Sequence, residues 1–327
     1  MSGRKKSAVI IGRFMPPHNG HRYLVDFARS LSDRVFILVC TLPGEPIEGR
    51  IRYSWMKELF PDLDVVHITE EIPEASRENP KAPSIWARSI RRKTGHKIDY
   101  VIASEDYGFH LARELGADFV PLDPARHLVP ISASVIRENP YLHWRYLPDV
   151  VRPFFVKRIA IIDEGEIRDE SFVAELARRF DTSYVRSYLS FWETYQERPP
   201  EDEELDLVIR SHFASEDALI RQANRVIFCG PTPLELVVRL RREQRDVPPG
   251  LIAAFENRPY DFYFLLRRKQ HGDTLVCDTE YLLKRNALPF VTLKEPMEAA
   301  LEQVEEHVRK MLRLDLVNAP AEARSGP

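Results

Sequence analysis

The stretch Gly12-Arg13-Phe14-Met15-Pro16-Pro17-His18-Asn19-Gly20-His21 lies between a short apolar segment, Ala8 to Ile11, and a segment from Gly20 to Leu31 whose apolar residues have helical spacing. The apolar segment is brief and β-branched, which predicts a buried strand of a parallel sheet. The second segment predicts an amphipathic helix that begins near His18. Gly12 would let the backbone approach a ligand closely, and the N-terminus of a helix attracts phosphate. We therefore expect a phosphate-binding site at this loop.

The two histidines of this stretch add a chemical function to the loop. His18 and His21 are three residues apart and would share one face of the first helical turn. Attack on the α-phosphorus of a nucleoside triphosphate builds negative charge on oxygen atoms, and imidazole or imidazolium donors stabilise that charge without forming a covalent bond. A histidine pair at the start of a helix is also often a cap or a surface feature. The complete ten-residue stretch favours a nucleotidyltransferase active site.

A second candidate cluster, Ile131-Ser132-Ala133-Ser134-Val135-Ile136-Arg137, follows a predicted strand and turn between Phe119 and Pro130. Its hydroxyl groups and the guanidinium of Arg137 would bind the β- and γ-phosphates from the opposite wall, because the planar fork of arginine matches phosphate oxygens in pairs. The alternative is an ordinary serine helix cap followed by a solvated arginine. In combination with the first loop, the cluster favours phosphate binding.

The first half of the chain alternates between predicted strands and helices. The remaining predicted strands are 34–41, 65–68 and 100–103, and the remaining helices are 51–60, 84–93 and 108–115. This order is typical of a Rossmann-like, doubly wound parallel sheet. Ligands of such sheets bind beyond the carboxyl ends of the strands, where the loop at 12–21 would lie.

A second α/β domain is predicted after the prolines at 147–153. We expect a nucleotidyltransferase domain at 1–152, a second domain at 153–315 and a disordered tail at 316–327. A strand from Val156 to Ile162 would open the second domain. The second domain is also predicted to contain a strand at 225–229, a buried strand at 261–266 and a helix at 298–314.

These motifs resemble the NadR-type nicotinamide-nucleotide adenylyltransferases of the HIGH-type nucleotidyltransferase superfamily. The resemblance covers roughly residues 7–157 and rests on G-R-F-x-P-x-H-x-G-H at 12–21 and on the segments 104–108, 123–126 and 131–139. It implies that nicotinamide mononucleotide (NMN) and ATP condense to NAD and pyrophosphate with the help of Mg²⁺. The second motif of the family is commonly I-S-G-T-x-I-R, whereas this chain has Ala133 and Ser134, which keeps the hydroxyl.

The resemblance also implies roles for individual residues. His18, His21 and Arg137 would be catalytic, with the histidines stabilising the transition state. Arg52 would bind the phosphate of NMN, and Trp86 would stack on its pyridinium ring; the alternative for Trp86 is a half-buried packing residue. No residue is assigned as a metal ligand. The residues assigned to the ATP site are Gly12, Arg13, Phe14, Ser132 and Ser134.

The second domain resembles the ribosylnicotinamide kinase domain that NadR-type proteins often carry, but its phosphate loop does not. A Walker A loop, G-x-x-x-x-G-K-[ST], needs glycines and a lysine to hold phosphates. The segment from Asp163 to Ser171 has Asp169 at the lysine position, and its carboxylates would repel a triphosphate. Gly230 stands where the kinases have an aspartate, and Ser187 to Ser190 stand where they have Glu-Tyr-Gly-Arg. We expect a P-loop-kinase-like fold without a working Walker A loop, a pseudokinase used for assembly or for sensing a pyridine nucleotide.

Composition limits the classes of partner. The 327 residues are 44% hydrophobic and 30% charged, with a net charge of −3 and no long basic run, so neither a nucleic-acid surface nor a membrane span is expected. Cys40, Cys229 and Cys277 lack C-x-x-C spacing, which fits a reducing compartment and argues against a zinc site. We expect a cytoplasmic protein, and the sequence is compatible with a homo-oligomer.

Three functions are compatible with these patterns. The leading one is the adenylyltransferase. The second is transfer of a nucleotide to another phosphate acceptor, for which Trp86 and Arg52 discriminate, since a non-aromatic acceptor gives no reason for the tryptophan. The third is a non-catalytic sensor that binds a pyridine nucleotide, against which the intact histidine motif argues. The residues leave open whether nicotinamide or nicotinate mononucleotide is preferred.

Overall fold

The computed structural model describes residues 4–72, 81–163, 170–230, 232–258, 260–267, 274–294 and 296–314. The chain divides into two compact units, Met1–Val151 and Arg152–Pro327. Each unit has its own five-stranded parallel sheet. The predicted fold class, two α/β units built on parallel sheets, is confirmed.

The sheet of the first unit has the strand order β3-β2-β1-β4-β5. Its strands are β1 (Ser7–Gly12), β2 (Arg34–Cys40), β3 (Asp64–Ile68), β4 (Tyr100–Ala103) and β5 (Asp118–Pro121). The connecting helices are α1 (Asn19–Leu31), α2 (Gly49–Leu59), α3 (Ala82–Thr94), α4 (Tyr107–Leu115) and α5 (Ala133–Glu138). Because the order reverses between β1 and β4, the loops that follow these two strands open a crevice at their carboxyl ends.

Strand β1 lies at the centre of two cores because its side chains alternate between the faces of the sheet. Ala8 and Ile10 pack with α1 and α2, where Val25 and Met56 are fully buried. Val9 packs on the other face with residues of α3 and α4. Burial on both faces explains the continuous apolar run of the strand.

The second unit repeats this plan with the order β10-β9-β6-β8-β7. Its strands are β6 (Lys157–Asp163), β7 (Tyr184–Val185), β8 (Val226–Cys229), β9 (Phe262–Arg267) and β10 (Phe290–Lys294). Its helices are α6 (Ser171–Arg179), α7 (Tyr188–Gln196), α8 (Leu205–Leu219), α9 (Pro233–Arg242), α10 (Pro249–Asn257), α11 (Thr274–Arg285) and α12 (Met297–Met311). The last helix was predicted to end at Leu314, whereas α12 ends at Met311.

Two of the predicted features cannot be compared with the structure. The segment 164–169, which includes the position of the Walker A lysine, and the predicted tail at 316–327 lie outside the described residues. Within the described part of the chain, no helix combines the length and the apolar character needed to cross a bilayer.

Candidate active site

A cavity of about 530 Å³ opens in the first unit around the loops that follow β1, β4 and β5. This volume is within the usual range of small-molecule sites. Every predicted site residue except Arg52 lies on its wall. The predicted residues that line it are Gly12, Arg13, Phe14, His18, His21, Trp86, Ser132, Ser134 and Arg137.

The histidine pair caps the helix that it opens. His18 is the N-cap of α1, with extended backbone, and its Nδ1 accepts a hydrogen bond from the backbone N–H of Gly20 at 3.1 Å. The Nδ1 of His21 accepts from the backbone N–H of His18 at 3.2 Å, which completes a reciprocal capping box. Because each Nδ1 is an acceptor, we assign the proton of each neutral ring to Nε2. The cap therefore selects the tautomer of both histidines.

Both rings are uncharged near neutral pH. Burial, and then the positive charge of Arg126, lower the pKa of His18 to about 4. Burial, the neighbouring ring of His18 and Arg126 lower the pKa of His21 well below its ordinary value. The ring centroids lie 3.8 Å apart, so two charged imidazoles would repel each other strongly. The cavity wall thus holds two neutral imidazoles whose Nε2–H groups are not used by the helix cap.

The ring of Phe14 packs against His21. Phe14 is buried and has a positive φ of 49°, which is uncommon for a bulky residue. Its ring meets His21 edge to face, with centroids 4.9 Å apart. A Cβ at Gly12 would lie only 3.1 Å from this ring. Gly12 therefore leaves the space that Phe14 needs in order to hold His21 in place.

The second motif forms another part of the cavity wall. Ser132 is the N-cap of α5 and accepts a hydrogen bond from the backbone of Val135 at 3.3 Å. Its Oγ lies 2.9 Å from the Oγ of Ser134. The guanidinium of Arg137 donates to the carbonyl of Met15, which joins this motif to the first loop. Ser132 is thus both a cap and part of the wall, so the two interpretations of this serine are compatible.

Arg52 is the predicted site residue that the structure does not bring to the cavity. It lies on the inner face of α2 and is fully buried. Its guanidinium pairs with Glu45 and donates to the carbonyls of Ile47, Cys40 and Arg13, the first two at 2.9 Å. This position corrects the predicted contact with the phosphate of NMN, because all these donors face protein groups. Arg52 instead connects the loops that follow β1 and β2.

Trp86 lies on the cavity wall together with Pro83, both from α3. Its side chain is half-buried. Its half-buried position is compatible with both interpretations, because it packs within the unit and also exposes part of its surface to the cavity.

Tyr107, Glu105 and Arg126 are among the wall residues that had no predicted role. The hydroxyl of Tyr107, at the start of α4, donates to the carbonyl of Ile11 at 2.8 Å and bridges the point where the strand order reverses. Glu105 and Arg126 follow β4 and β5 and also line the cavity. All three lie within the segments 104–108 and 123–126, which carry part of the family resemblance. Their location after predicted strands of a parallel sheet could have indicated the site.

The described residues contain no group of three His, Cys, Asp or Glu side chains that would hold a metal ion. Magnesium in nucleotide sites is commonly held by the phosphates and by water, with few protein ligands. Ser132 and Ser134, the hydroxyl residues predicted for the ATP site, lie on the cavity wall.

The second unit differs at the positions that its kinase resemblance would use. The Oγ of Ser187 accepts a hydrogen bond from the backbone of Ser190 at 3.0 Å, so Ser187 caps α7 and residues 188–190 form its first turn. A Cβ at Gly230 would lie 2.8 Å from the carbonyl oxygen of Ile161. The end of β8 therefore packs directly against the backbone of β6.

Comparisons with known proteins agree with this architecture. No protein-family model matches the chain. The trifunctional NAD biosynthesis/regulator protein NadR of Escherichia coli K12 is 25% identical over 95% of this chain and 79% of its own length. The same protein of Salmonella typhimurium LT2 is 25% identical over 89% of this chain and 80% of its own length. This chain resembles NadR.

Solved NadR structures extend the likeness to the fold of both units. A NadR protein in complex with NR has a TM-score of 0.77 at 19% identity and covers 92% of this chain and 96% of its own. A NadR complex with NAD and AMP-PNP has a TM-score of 0.76 at 18% identity and covers 93% and 96%. The predicted resemblance to NadR-type proteins, including their kinase-like second half, is confirmed.

Proposed function

We propose that the first unit is a nicotinamide-nucleotide adenylyltransferase, which joins NMN and ATP to give NAD and pyrophosphate. The observation that carries the proposal is the double histidine cap. It directs two neutral Nε2–H donors to a cavity whose wall also holds Arg13 and Arg137. The NadR relatives are named for NAD biosynthesis, and a solved NadR structure holds NAD and AMP-PNP, which supports nucleotide ligands for this chain.

The chemistry is a direct displacement at the α-phosphorus of ATP. A phosphate oxygen of NMN forms a bond to this phosphorus while the bond to the bridging oxygen breaks, and pyrophosphate leaves with the electron pair. Charge builds on the α-phosphate oxygens. The Nε2–H groups of His18 and His21 stabilise it as preorganised donors, and neither ring has to gain or lose a proton.

The remaining wall residues hold the two substrates. Arg13, Ser132, Ser134 and Arg137 bind the triphosphate, since guanidinium and hydroxyl groups are suited to phosphate oxygens. A Mg²⁺ ion bound to the triphosphate supplies further charge neutralisation. Trp86 offers its ring to the cationic pyridinium of NMN.

The second unit, in this proposal, does not transfer phosphate. Asp169 stands in place of the Walker A lysine, and the segment from Asp163 to Ser171 carries carboxylates where phosphate oxygens would bind. Electrostatic repulsion would disfavour a triphosphate there. The kinase-like fold is retained, since β6 and its neighbours form a continuous parallel sheet.

NAD formation by the purified full chain tests the proposal. ATP, Mg²⁺ and NMN are supplied, and the NAD formed is reduced and followed by absorbance. We expect turnover in the unaltered chain, loss of at least 100-fold in His18→Ala and His21→Ala, and no loss in His110→Ala, whose exposed side chain lies away from the cavity wall. A parallel reaction with nicotinamide riboside is expected to give no phosphorylated product.

Three results would each contradict part of the proposal. Tight binding of NMN without turnover would favour a pyridine-nucleotide sensor. Turnover with other phosphate acceptors but not with NMN would favour a different transferase. Phosphorylation of the riboside would overturn the assignment of the second unit while leaving that of the first unchanged.

A further inference from the structure

The cavity wall of the first unit contains an ion pair that has no role in the proposed transfer reaction. The Nη2 of Arg126 lies 3.3 Å from Oε1 of Glu105, and both residues line the cavity. Their side chains are 46% and 64% exposed. Water screens a pair as exposed as this one, so it contributes little to stability and is easily broken.

The loop that carries Arg126 has a well-defined conformation. The carboxylate of Asp123 accepts hydrogen bonds from the backbone of His127 at 2.8 Å, Leu128 at 3.0 Å and Val129 at 3.4 Å. The backbone N–H of Arg126 donates to the carbonyl of Asp123 at 2.9 Å. These hydrogen bonds fix the loop between β5 and α5.

The same loop holds two residues in the left-handed region, where side chains other than glycine are disfavoured. Asp123 has a φ of 46° and Arg126 a φ of 53°. Such strain persists only where the surrounding structure enforces it, and it is frequent at ligand sites. The loop thus keeps Arg126 at the cavity although its local conformation is costly.

The charge of Arg126 acts where the reacting phosphates would bind. It lowers the pKa of His18 and of His21, so it lies within electrostatic reach of both rings. It also comes from the same β5–α5 connection as Ser132 and Ser134. Arg126, the two serines and the two histidines therefore line the same cavity.

We propose that Arg126 exchanges Glu105 for phosphate oxygens when a nucleoside triphosphate binds. The inference rests on the proposed function and adds a ligand-binding residue to it. Phosphate is the stronger partner, because it carries more charge than a carboxylate and accepts paired hydrogen bonds from a guanidinium. During transfer, Arg126 remains bound to the β- and γ-phosphates. It therefore stabilises the pyrophosphate as that group takes the electron pair of the bond between the α-phosphorus and the bridging oxygen.

Binding measurements on Arg126→Ala test this exchange without requiring turnover. We expect its affinity for AMP-PNP and for pyrophosphate, measured by calorimetry, to fall about 10- to 100-fold, which is the usual effect of losing a charged hydrogen bond. The affinity for NMN should change less than about twofold. That result would show that Arg126 binds the triphosphate and not the phosphate of NMN. Arg29→Ala is the matched control, because Arg29 forms a similarly exposed pair with Asp62 away from the cavity.

Glu105→Gln provides the opposite test. Removing the competing carboxylate should tighten AMP-PNP binding by roughly threefold. The expected change is small because an exposed ion pair contributes little free energy. The gain should vanish in the double variant Arg126→Ala, Glu105→Gln, since there is then no guanidinium to release.

Three results would overturn the inference. Unchanged AMP-PNP affinity in Arg126→Ala would leave the pair as a surface contact. A weaker affinity for NMN alone would place Arg126 on the acceptor. Weaker AMP-PNP binding in Glu105→Gln would make the carboxylate part of the binding site. If the unaltered chain binds AMP-PNP but forms no NAD, the proposed function fails while these binding tests still apply.

Discussion

The ring of His18 lies directly over Gly20, so that a Cβ added at residue 20 would stand 2.9 Å from Cε1 of the imidazole. The backbone N–H of Gly20 is also the donor to the Nδ1 of this ring. Alanine at this position would push the imidazole away from both the cap and the cavity. We expect Gly20→Ala to lower kcat for NAD formation about 100-fold, as displacements of this size do in active sites.

The matched control for this variant is Gly250→Ala. The nearest atom to a Cβ there is Oδ1 of Asp206, at an ordinary contact distance of 3.7 Å. The control should retain full kcat. Full activity of Gly20→Ala itself would show that the position of the His18 ring is not critical.

His18→Asn separates capping from catalysis. Asparagine is a good N-cap, and its amide oxygen can take the place of Nδ1, but it offers no donor at the position of Nε2. We expect its kcat to fall about 100- to 1,000-fold, the usual loss for one preorganised donor. The midpoint of thermal unfolding should fall by less in His18→Asn than in His18→Ala. Equal unfolding midpoints in the two variants would argue that the cap contributes nothing to stability.

Acid should destabilise the unaltered chain more than His18→Asn. Burial lowers the pKa of folded His18 to about 4, whereas an unfolded histidine titrates near 6.5. Between these values the unfolded chain binds a proton that the folded chain does not, so stability is full above pH 6.5 and falls as the pH falls. From pH 7.5 to 5, the unaltered chain should lose about 2 kcal/mol of unfolding free energy relative to the variant, measured by urea denaturation. Equal losses would show that His18 is not buried in its neutral form.

Arg52→Met should destabilise the first unit. The change removes hydrogen bonds to the carbonyls of Ile47, Cys40 and Arg13. It also leaves the carboxylate of Glu45, which is 9% exposed, with only the longer ion pair to Arg13, whose Nε lies 3.7 Å from Oε1. Breaking a buried pair in this way costs about 3–5 kcal/mol of unfolding free energy. The double variant Arg52→Met, Glu45→Met should recover part of this loss. A stable Arg52→Met with a raised KM for NMN would instead support the contact predicted from sequence.

Arg52 also shows what the sequence pattern could have indicated. Arg52, Trp55 and Met56 are the buried residues of α2, and their spacing places them on one helical face. An arginine on an apolar stripe has to find partners inside the protein, which argues for a structural role. The ten-residue stretch at 12–21 was more informative because strand, loop, cap and chemistry all fall within one local segment.

Arg126 illustrates the part of the site that local patterns could not predict. Its position depends on a left-handed backbone that no glycine marks, and on hydrogen bonds from later residues to Asp123. The pairing with Glu105 joins the ends of β4 and β5, which are neighbours only in the folded sheet. Such features follow from tertiary structure, whereas the alternation of strands and helices follows from local apolar spacing.

Restoring the phosphate loop should not restore kinase activity. Changing Asp163, Arg168, Asp169 and Glu170 to Gly, Gly, Lys and Ser would complete G-x-x-x-x-G-K-S. We expect this variant, given ATP and nicotinamide riboside, to release no more phosphorylated product than the unaltered chain. The reason is that residues 187–190 form the cap and first turn of α7 and that residue 230 has no carboxylate.

Adding Gly230→Asp to that variant should lower stability without creating activity. Any Cβ at residue 230 meets the carbonyl oxygen of Ile161 at 2.8 Å, and this atom belongs to the backbone of β6 and has little freedom to move. Overpacking of this kind costs about 1–3 kcal/mol of unfolding free energy. A lower thermal midpoint together with absent phosphorylation is therefore the expected result. Phosphorylation by the loop variant alone would mean that the loss in the second unit is confined to its loop. Phosphorylation only after Gly230→Asp would mean that the end of β8 accepts an aspartate despite its packing against β6.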